Sequence, residues 1–178
     1  MKKYEFTGET KNHYGVTLRQ IRALVTIIGV VSSGDVGGWI ESENCLDHSG
    51  DAWVSGNAWV YGNARVYGNA WVSGNAWVSG NACVSGNACV SGDAWVYGNA
   101  RVESMESICT FSGFGSKYRT TTVFIDSEIG IRIVCGGFTG TLEQFRKQVI
   151  ETHGEASKNG SLYLDMANMI EKRLGDIK

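Results

Sequence analysis

Proline is absent from this chain of 178 residues, and no apolar run is long enough to cross a membrane. The longest apolar stretch, residues 23–31, is interrupted by Thr26 and Gly29, whereas a membrane-spanning helix requires about 20 apolar residues. Residues 1–6 lack the apolar core of a secretory signal peptide. We therefore expect a cytoplasmic protein that does not contact a membrane.

Basic runs and metal-binding cysteine patterns are also missing. The formal net charge is −2, and a general nucleic-acid binder requires clustered basic residues. The five cysteines include no Cys-x-x-Cys pair, which argues against a metal site. We expect neither general nucleic-acid binding, nor a metal, nor a cofactor.

What the chain does contain is one six-residue unit, repeated nine times from Gly50 to Val102. The unit reads Gly, Asn or Asp, Ala, a variable residue, Val and a sixth residue. Ala and Val are two positions apart, so they share one side of a strand and the variable residue points to the other side. Glycine suits the sharp corner between units. Three units close a coil of eighteen residues, so the pattern predicts a mainly β protein built on a parallel β-helix with three flat faces.

The eighteen-residue coil sorts the outward residues by face. The first face carries Trp59, Trp77 and Trp95, the second carries Trp53, Trp71 and Cys89, and the third carries Arg65, Cys83 and Arg101. Tyr61 and Tyr97 share an edge. An exposed row of tryptophans is a large apolar patch, and such patches mark contact surfaces. We expect one tryptophan face to be covered by an oligomer partner or by the ends of the chain.

The two ends of the chain lack the repeat, so we divide the chain into three parts. Residues 1–33 are predicted to form a β-hairpin, with strands at 4–7 and 16–31 and a polar turn at 8–15. Residues 34–110 form the β-helix, whose first coil has two extra residues near 47–49. Residues 111–178 are predicted to form an α+β cap, with strands at 120–125 and 129–134. Its first helix begins with a capping box at Thr141 and Gln144 and ends at Gly154.

A second helix is predicted from residue 161 to residue 174. Its apolar stripe would comprise Leu162, Met166, Met169 and Ile170. The glycines at 136, 137 and 140 precede the first helix without a P-loop lysine, so we interpret them as a turn rather than as an anion site.

Three segments together resemble a known family. They are Gly34-Asp35-x-Gly37-Gly38-Trp39-Ile40-Glu41, the Gly-Asn-Ala-Trp-Val array, and the tail from Gly137 to Phe145 with Thr152-His153-Gly154. They look like the left-handed β-helix (hexapeptide-repeat) proteins that phages and prophages encode. The resemblance implies a left-handed coil and a host-cell cytoplasmic location, and it transfers no catalytic residue.

The leading functional hypothesis is a non-enzymatic phage accessory protein that neutralises a host-defence component, either by binding a protein or by sequestering a nucleotide-derived signal. We expect a homo-oligomer, with a trimer favoured by analogy with hexapeptide proteins. Tryptophan, tyrosine and arginine suit such contacts because they anchor interfaces, stack on bases and pair with phosphate. The predicted binding residues are Trp53, Trp59, Trp71, Trp77, Trp95, Tyr61, Tyr97, Arg65 and Arg101.

Two alternatives remain at this point. One is an acyl-CoA-dependent acyltransferase like other hexapeptide proteins, in which a histidine acts as the general base. His48, beside the irregular first coil, is the candidate for that role, although a histidine in a turn is the simpler interpretation. His153 is interpreted as a partner of a helix C-terminus. The other alternative is a structural, virion-associated protein, because stacked coils are stiff.

Overall fold

A computed structural model describes residues 1–115 and 117–175. Its contacts divide the chain into two compact units, Met1–Met105 and Glu106–Lys178. The first is a β-solenoid of about four turns preceded by a β-hairpin, and the second ends in two helices. The fold is therefore mainly β, as the repeat predicts. The domain predicted for 111–178 includes residues 116 and 176–178, which lie outside the described residues.

The first unit begins with three longer strands and continues with nine short ones. The longer strands are β1 (Tyr4–His13), β2 (Val16–Ala23) and β3 (Val36–Ile40), and a 3-10 turn follows at Glu43–Cys45. The short strands are β4 (Trp53–Val54), β5 (Trp59–Val60), β6 (Arg65–Val66), β7 (Trp71–Val72), β8 (Trp77–Val78), β9 (Cys83–Val84), β10 (Cys89–Val90), β11 (Trp95–Val96) and β12 (Arg101–Val102).

The strands form the three faces that the repeat predicts. The first sheet has the order β1-β2-β3-β5-β8-β11, the second β4-β7-β10, and the third β6-β9-β12. Within the array each residue pairs in parallel with the residue eighteen positions later, as Trp59 does with Trp77. The predicted grouping of the outward residues by face is therefore confirmed.

The interior of the solenoid consists of the alanines and valines of the array, all of which are buried. The corner glycines have φ between 58° and 73°, a region that other residues enter at a cost. Asparagines next to the corners form hydrogen-bonded ladders along the solenoid. Asn63 donates to Asn81 at 3.1 Å, and Asn81 donates to Asn99 at 3.0 Å. Each position of the unit thus has a structural role that repeats from coil to coil.

The first coil is irregular in the predicted place. Ile40 pairs with Val60, twenty residues later, and Leu46 pairs with Val66, also twenty residues later. Val54 pairs with Val72 at the regular spacing of eighteen. The two extra residues therefore lie between Leu46 and Val54.

The N-terminal segment caps the open edge of this first coil. In the array, backbone N–H groups donate to carbonyls of the following coil, as Trp53 does to Ala70 at 3.0 Å. The first coil has no preceding coil whose N–H groups could donate to its carbonyls. Lys3 Nζ donates to the Ala52 carbonyl at 2.7 Å, and Tyr4 Oη donates to the Leu46 carbonyl at 2.8 Å. These side chains supply the donors that buried carbonyls require.

The hairpin differs from its prediction. The polar residues 8–13 belong to β1, so the turn comprises only Tyr14 and Gly15, and β2 ends at Ala23 rather than at residue 31. Polar composition suggested a turn, but residues 8–12 of β1 are exposed and require no apolar alternation. The pairings of β2 with β1 and with β3 each contain a register shift, and such bulges bend a strand.

Tyr4 makes the stability of the solenoid unit sensitive to alkaline pH. Burial, followed by the nearby Glu43 carboxylate, raises the pKa of the Tyr4 phenol. An unfolded tyrosine ionises at about pH 10, so the folded state retains a proton that the unfolded state loses. The resulting stability is fully present below about pH 10 and is lost as the pH rises. Burial lowers the pKa of Lys3, which acts in the opposite direction.

We therefore expect the free energy of unfolding to fall between about pH 9 and about pH 11 more steeply in the wild type than in Tyr4→Phe. At about pH 8 the variant should be less stable by about 1–2 kcal/mol, since the Leu46 carbonyl loses its donor. Urea titrations at several pH values test both statements. Parallel pH profiles for the two proteins would contradict the role assigned to this phenol.

The second unit contains an antiparallel sheet and two helices. Its elements are β13 (Ile108–Phe114), β14 (Arg119–Asp126), β15 (Gly130–Cys135), β16 (Phe138–Thr141), α1 (Leu142–His153) and α2 (Lys158–Leu174), with the strands in sequential order. The sequence predicts β14 and β15 but misses β13 and β16. Because β13 starts at Ile108, the predicted boundary at residue 110 falls within a strand.

Both helices are present, and one detail of the second is corrected. Helix α1 has the predicted capping box and ends at Gly154. Helix α2 begins three residues earlier than predicted, after the N-cap Ser157. Its buried side is formed by Tyr163, Met166, Ala167, Ile170 and Leu174, whereas Leu162 and Met169 are exposed. The predicted stripe was rotated because Tyr163, an aromatic residue with a polar end, was not counted as a core position.

Candidate functional site

The most prominent outward feature of the solenoid is a column of four tryptophans on the first sheet. We call Trp39, Trp59, Trp77 and Trp95 the aromatic ladder. The rings of Trp59 and Trp77 are 4.7 Å apart and inclined by 7°, and those of Trp77 and Trp95 are 5.0 Å apart and inclined by 2°. These separations follow the spacing of adjacent strands. The repeat therefore produces parallel ring stacking on its own.

The N-terminal hairpin covers the end of this ladder that belongs to the first coils. The His13 ring contacts Trp59 edge-on at 4.8 Å and Trp77 at 5.0 Å. Lys11 places its ammonium group 3.9 Å from the centre of the Trp39 ring, a cation–π contact. Sequence reasoning missed both side chains because it assigned residues 8–15 to a turn.

The ladder is covered unevenly as a result. Trp39 is only 6% exposed, Trp59 and Trp77 are half-buried, and Trp95 is 42% exposed. Tyr61 lies 5.8 Å from His13, and Tyr97 is half-buried. The accessible part of the ladder is therefore its Trp95 end.

The second sheet presents one accessible tryptophan instead of the two predicted. Trp53 is 1% exposed and packs edge-on against Tyr4 at 6.5 Å. A side chain at Gly37 would lie only 2.9 Å from the Trp53 ring, so the backbone of β3 covers this ring. Trp53 is thus a core residue, contrary to its assignment as a binding residue. Trp71 is 37% exposed, and its indole N–H donates to Ser55 Oγ at 3.2 Å.

The third sheet carries both predicted arginines, away from the ladder. Arg101 Nη1 donates to Cys83 Sγ at 2.7 Å. Arg65 borders an open groove that also contains the acidic side chains of Glu43 and Asp47. Carboxylates oppose the binding of phosphate at that place. The structure therefore does not bring Arg65 or Arg101 to the ladder, whose rings are contacted instead by Lys11 and His13.

His48 has a structural environment. Its Nδ1 accepts a hydrogen bond from the Lys3 backbone N–H at 3.1 Å, and its ring stacks on Tyr4 at 4.3 Å. A nitrogen that accepts an N–H bond carries no proton, so the ring proton is on Nε2. That Nε2 lies 3.9 Å from Glu43 Oε2. The lone pair that a general base requires is already engaged by Lys3.

The remaining chemical groups offer no metal site in the described part of the chain. Residues 1–115 and 117–175 contain no group of three or more His, Cys, Asp or Glu side chains that could hold a metal ion. All five cysteines have free thiols. Among the same residues, no helix has the length and apolar character needed to cross a bilayer.

Comparison with known protein families agrees with the architecture of the array. The family model described as YdcK beta solenoid repeat matches residues 58–74, 64–80 and 82–98. No curated protein matches the chain. All three matched segments lie within the six-residue repeat, so the similarity concerns the solenoid and does not extend to either end of the chain. The central segment of this protein is similar to the YdcK β-solenoid repeat.

Proposed function

We propose that this protein is a non-enzymatic, oligomeric phage accessory protein that acts as a binding scaffold and neutralises a host-defence component. The observation that carries the binding role is the Trp95 end of the aromatic ladder, an exposed indole on a rigid sheet. The phage origin and the location in the host cytoplasm rest on the resemblance of the sequence to phage-encoded β-helix proteins. The left-handed winding of the solenoid has the same basis.

The ring geometry favours a protein partner over a nucleotide on this ladder. Trp59, Trp77 and Trp95 stack face to face at 4.7–5.0 Å, so each inner ring uses its faces on its neighbours. A base could stack only on an end ring of this column, whereas side chains of a partner can reach the exposed part of Trp95 without entering the stack. Tryptophan is also enriched at the energetic centres of protein interfaces.

The non-enzymatic character is supported by the surroundings of His48. An acyltransferase of the hexapeptide type needs a histidine within reach of the proton of its acceptor. In this chain the Lys3 N–H occupies His48 Nδ1, and the ring stacks on Tyr4. This histidine is better suited to hold the N-terminal segment against the first coil.

The first test concerns assembly. We expect the wild type to form a homo-oligomer, with a trimer favoured, of the 19.3 kDa chain. The double variant Trp77→Thr, Trp95→Thr should weaken assembly by at least about 30-fold, because the loss of an interface hot spot costs about 2 kcal/mol or more. Threonine suits a strand, and Trp59 is retained to preserve the shorter of the two tryptophan contacts with His13. Light scattering over a range of concentrations measures the effect.

A matched control uses Arg65→Thr, Arg101→Thr, which changes the same position of the repeat on the third sheet. This variant should assemble like the wild type, and circular dichroism should show unchanged β-structure in all three proteins. A monomeric wild type at micromolar concentration would contradict the oligomer.

The biological role is tested by producing each protein in a bacterium whose defence system restricts a phage. The wild type and the arginine variant should restore plaque formation, whereas the tryptophan variant should not.

A further inference from the structure

The C-terminal unit contains a cavity of about 240 Å³ that the proposed function does not use. It lies where the ends of four strands, β13 to β16, meet α1 and one residue of α2. The lining includes Phe114, Lys117, Arg119, Phe138, Phe145 and Tyr163. One part of this lining is apolar and aromatic, and the other consists of hydrogen-bond donors and cations.

Two glycines allow polar groups to lie directly on the backbone at the cavity wall. A Cβ atom at Gly136 would be 2.7 Å from Arg119 Nη1, and a Cβ atom at Gly115 would overlap the Tyr163 hydroxyl. The guanidinium of Arg119 therefore packs against the Gly136 backbone, and the Tyr163 phenol packs against Gly115. Any larger residue would displace these groups from their places.

The Tyr163 side chain is held in one position at the cavity wall. The residue is 9% exposed, its ring stacks on His153 at 5.5 Å, and its hydroxyl interacts with the Cys135 thiol. Burial, followed by the neighbouring Cys135, raises the pKa of the phenol. The contact with Cys135 therefore fixes the position of the hydroxyl at the cavity wall.

The charge of the lining is positive and uncompensated within the described chain. Its described residues include Lys117 and Arg119 but no aspartate or glutamate. Among residues 1–115 and 117–175, neither cation has a carboxylate within ion-pair distance, whereas Arg132 pairs with Asp126 and Arg146 with Glu171, each at 2.9 Å. An arginine fork and an ammonium group on one wall attract carboxylate or phosphate.

The volume limits the size of the ligand. A water molecule occupies about 30 Å³ of liquid, so the cavity has room for about eight, and it is smaller than the roughly 300 Å³ at which sites for drug-sized ligands begin. We propose that this cavity binds a small organic anion, with a phosphate or carboxylate group at Arg119 and Lys117 and a compact apolar body against Phe114, Phe138 and Phe145.

This location differs from the N-terminus of α1. There the Thr141 hydroxyl accepts from the Gln144 backbone N–H at 3.3 Å, and the Gln144 side chain accepts from the Thr141 N–H at 2.9 Å. The reciprocal cap engages donors that an anion would use. The cavity instead adjoins the C-terminal end of α1, where His153 forms part of its wall.

Calorimetry with the full chain tests the proposal, using phenyl phosphate, benzoate, inorganic phosphate and neutral benzyl alcohol as probes. We expect phenyl phosphate or benzoate to bind with Kd below about 1 mM, and the neutral alcohol to bind at least about tenfold more weakly, since a charge-assisted hydrogen bond is lost. The better of the two anions identifies the head group. Failure of both anions, or equal binding of benzyl alcohol, would overturn the proposal. Inorganic phosphate that binds as well as phenyl phosphate would overturn the apolar part of it.

Variants then locate the site. Arg119→Gln should weaken the better probe at least about tenfold, and Arg119→Lys should recover part of the affinity. Lys158→Gln, which removes a lysine outside the lining, should change it less than twofold. Unchanged binding by Arg119→Gln would place the ligand elsewhere and refute the assignment.

Cysteine reactivity provides an independent readout of location. Cys135 lines the cavity, whereas Cys83 and Cys89 are half-buried thiols of the solenoid. A saturating probe should slow the alkylation of Cys135 by iodoacetamide severalfold and leave Cys83 and Cys89 unaffected, as followed by peptide mass spectrometry. No protection of Cys135 would count against the site. The double variant Trp77→Thr, Trp95→Thr should bind the probe normally, so failure of the scaffold hypothesis and failure of this inference are distinguishable.

Discussion

Replacing Ala76 by leucine is expected to lower the free energy of unfolding of the solenoid by about 1–3 kcal/mol. Ala76 is fully buried and directly precedes strand β8, which lies between β5 and β11. Backbone bonds of 2.9 Å join its coil to both neighbours, from Trp59 N–H to the Ala76 carbonyl and from Trp77 N–H to the Ala94 carbonyl. The coils cannot separate to admit a larger side chain without breaking such bonds, so the added carbon atoms produce overpacking.

The matched control for Ala76→Leu is Asn75→Ser at the preceding position. Asn75 is exposed, and its side chain donates to Asp93 at 3.0 Å. Loss of this exposed bond should cost about 0.5–1 kcal/mol. All six tryptophans lie within Met1–Met105, so urea titration followed by tryptophan fluorescence reports on the solenoid unit. Equal destabilisation by the two variants would be incompatible with alanine on the inside of the coil.

The second large effect is expected at a corner glycine. Gly74 and Gly92 have nearly the same φ, 68° and 66°, but they differ in their surroundings. A Cβ atom at Gly74 would be 2.9 Å from the Gly92 backbone nitrogen and 3.0 Å from its oxygen, whereas one at Gly92 would have no atom within 4 Å. Both alanine variants suffer the strain of a positive φ, which costs about 1–2 kcal/mol. Only Gly74→Ala also meets backbone of the next coil.

We therefore expect Gly92→Ala to cost about 1–2 kcal/mol and Gly74→Ala to cost at least about 1 kcal/mol more, since overpacking adds to the strain. The same fluorescence-monitored titrations measure the difference. The difference between the two variants separates the free-energy cost of the contact with the next coil from the cost of a positive φ. Indistinguishable values would mean that the corners need glycine for its φ alone.

The regular part of this fold was predictable because every coil repeats the same short sequence pattern and therefore the same local structure. Alanine and valine two residues apart, with glycine at the corner, specify an inward side, an outward side and a turn. The register then follows from the eighteen-residue coil, and the pairing of Trp59 with Trp77 and of Arg65 with Cys83 confirms it. The irregular first coil was predictable from a change in spacing alone.

The prediction was less successful where a contact joins segments that are distant in sequence. The outward position of Trp53 in its unit says nothing about Tyr4, which comes from the N-terminus to cover it. His13 and Lys11 lie in a polar stretch whose composition suggests a turn, yet their contacts are with Trp59, Trp77 and Trp39. In the second unit, β13 and β16 have too little periodicity to be recognised before their neighbours are in place.

By itself, the sequence determined the coil, its three faces, the stacked tryptophans and the capping box of α1, because each depends on residues within one or two repeats. The tertiary structure alone decided which tryptophans are accessible, since the hairpin covers the first coils and leaves Trp95 exposed. It alone assembled the cavity of the second unit from Arg119, Cys135, His153 and Tyr163. Those four side chains come from two strands and two helices, and burial and charge at such a place depend on packing that no local pattern encodes.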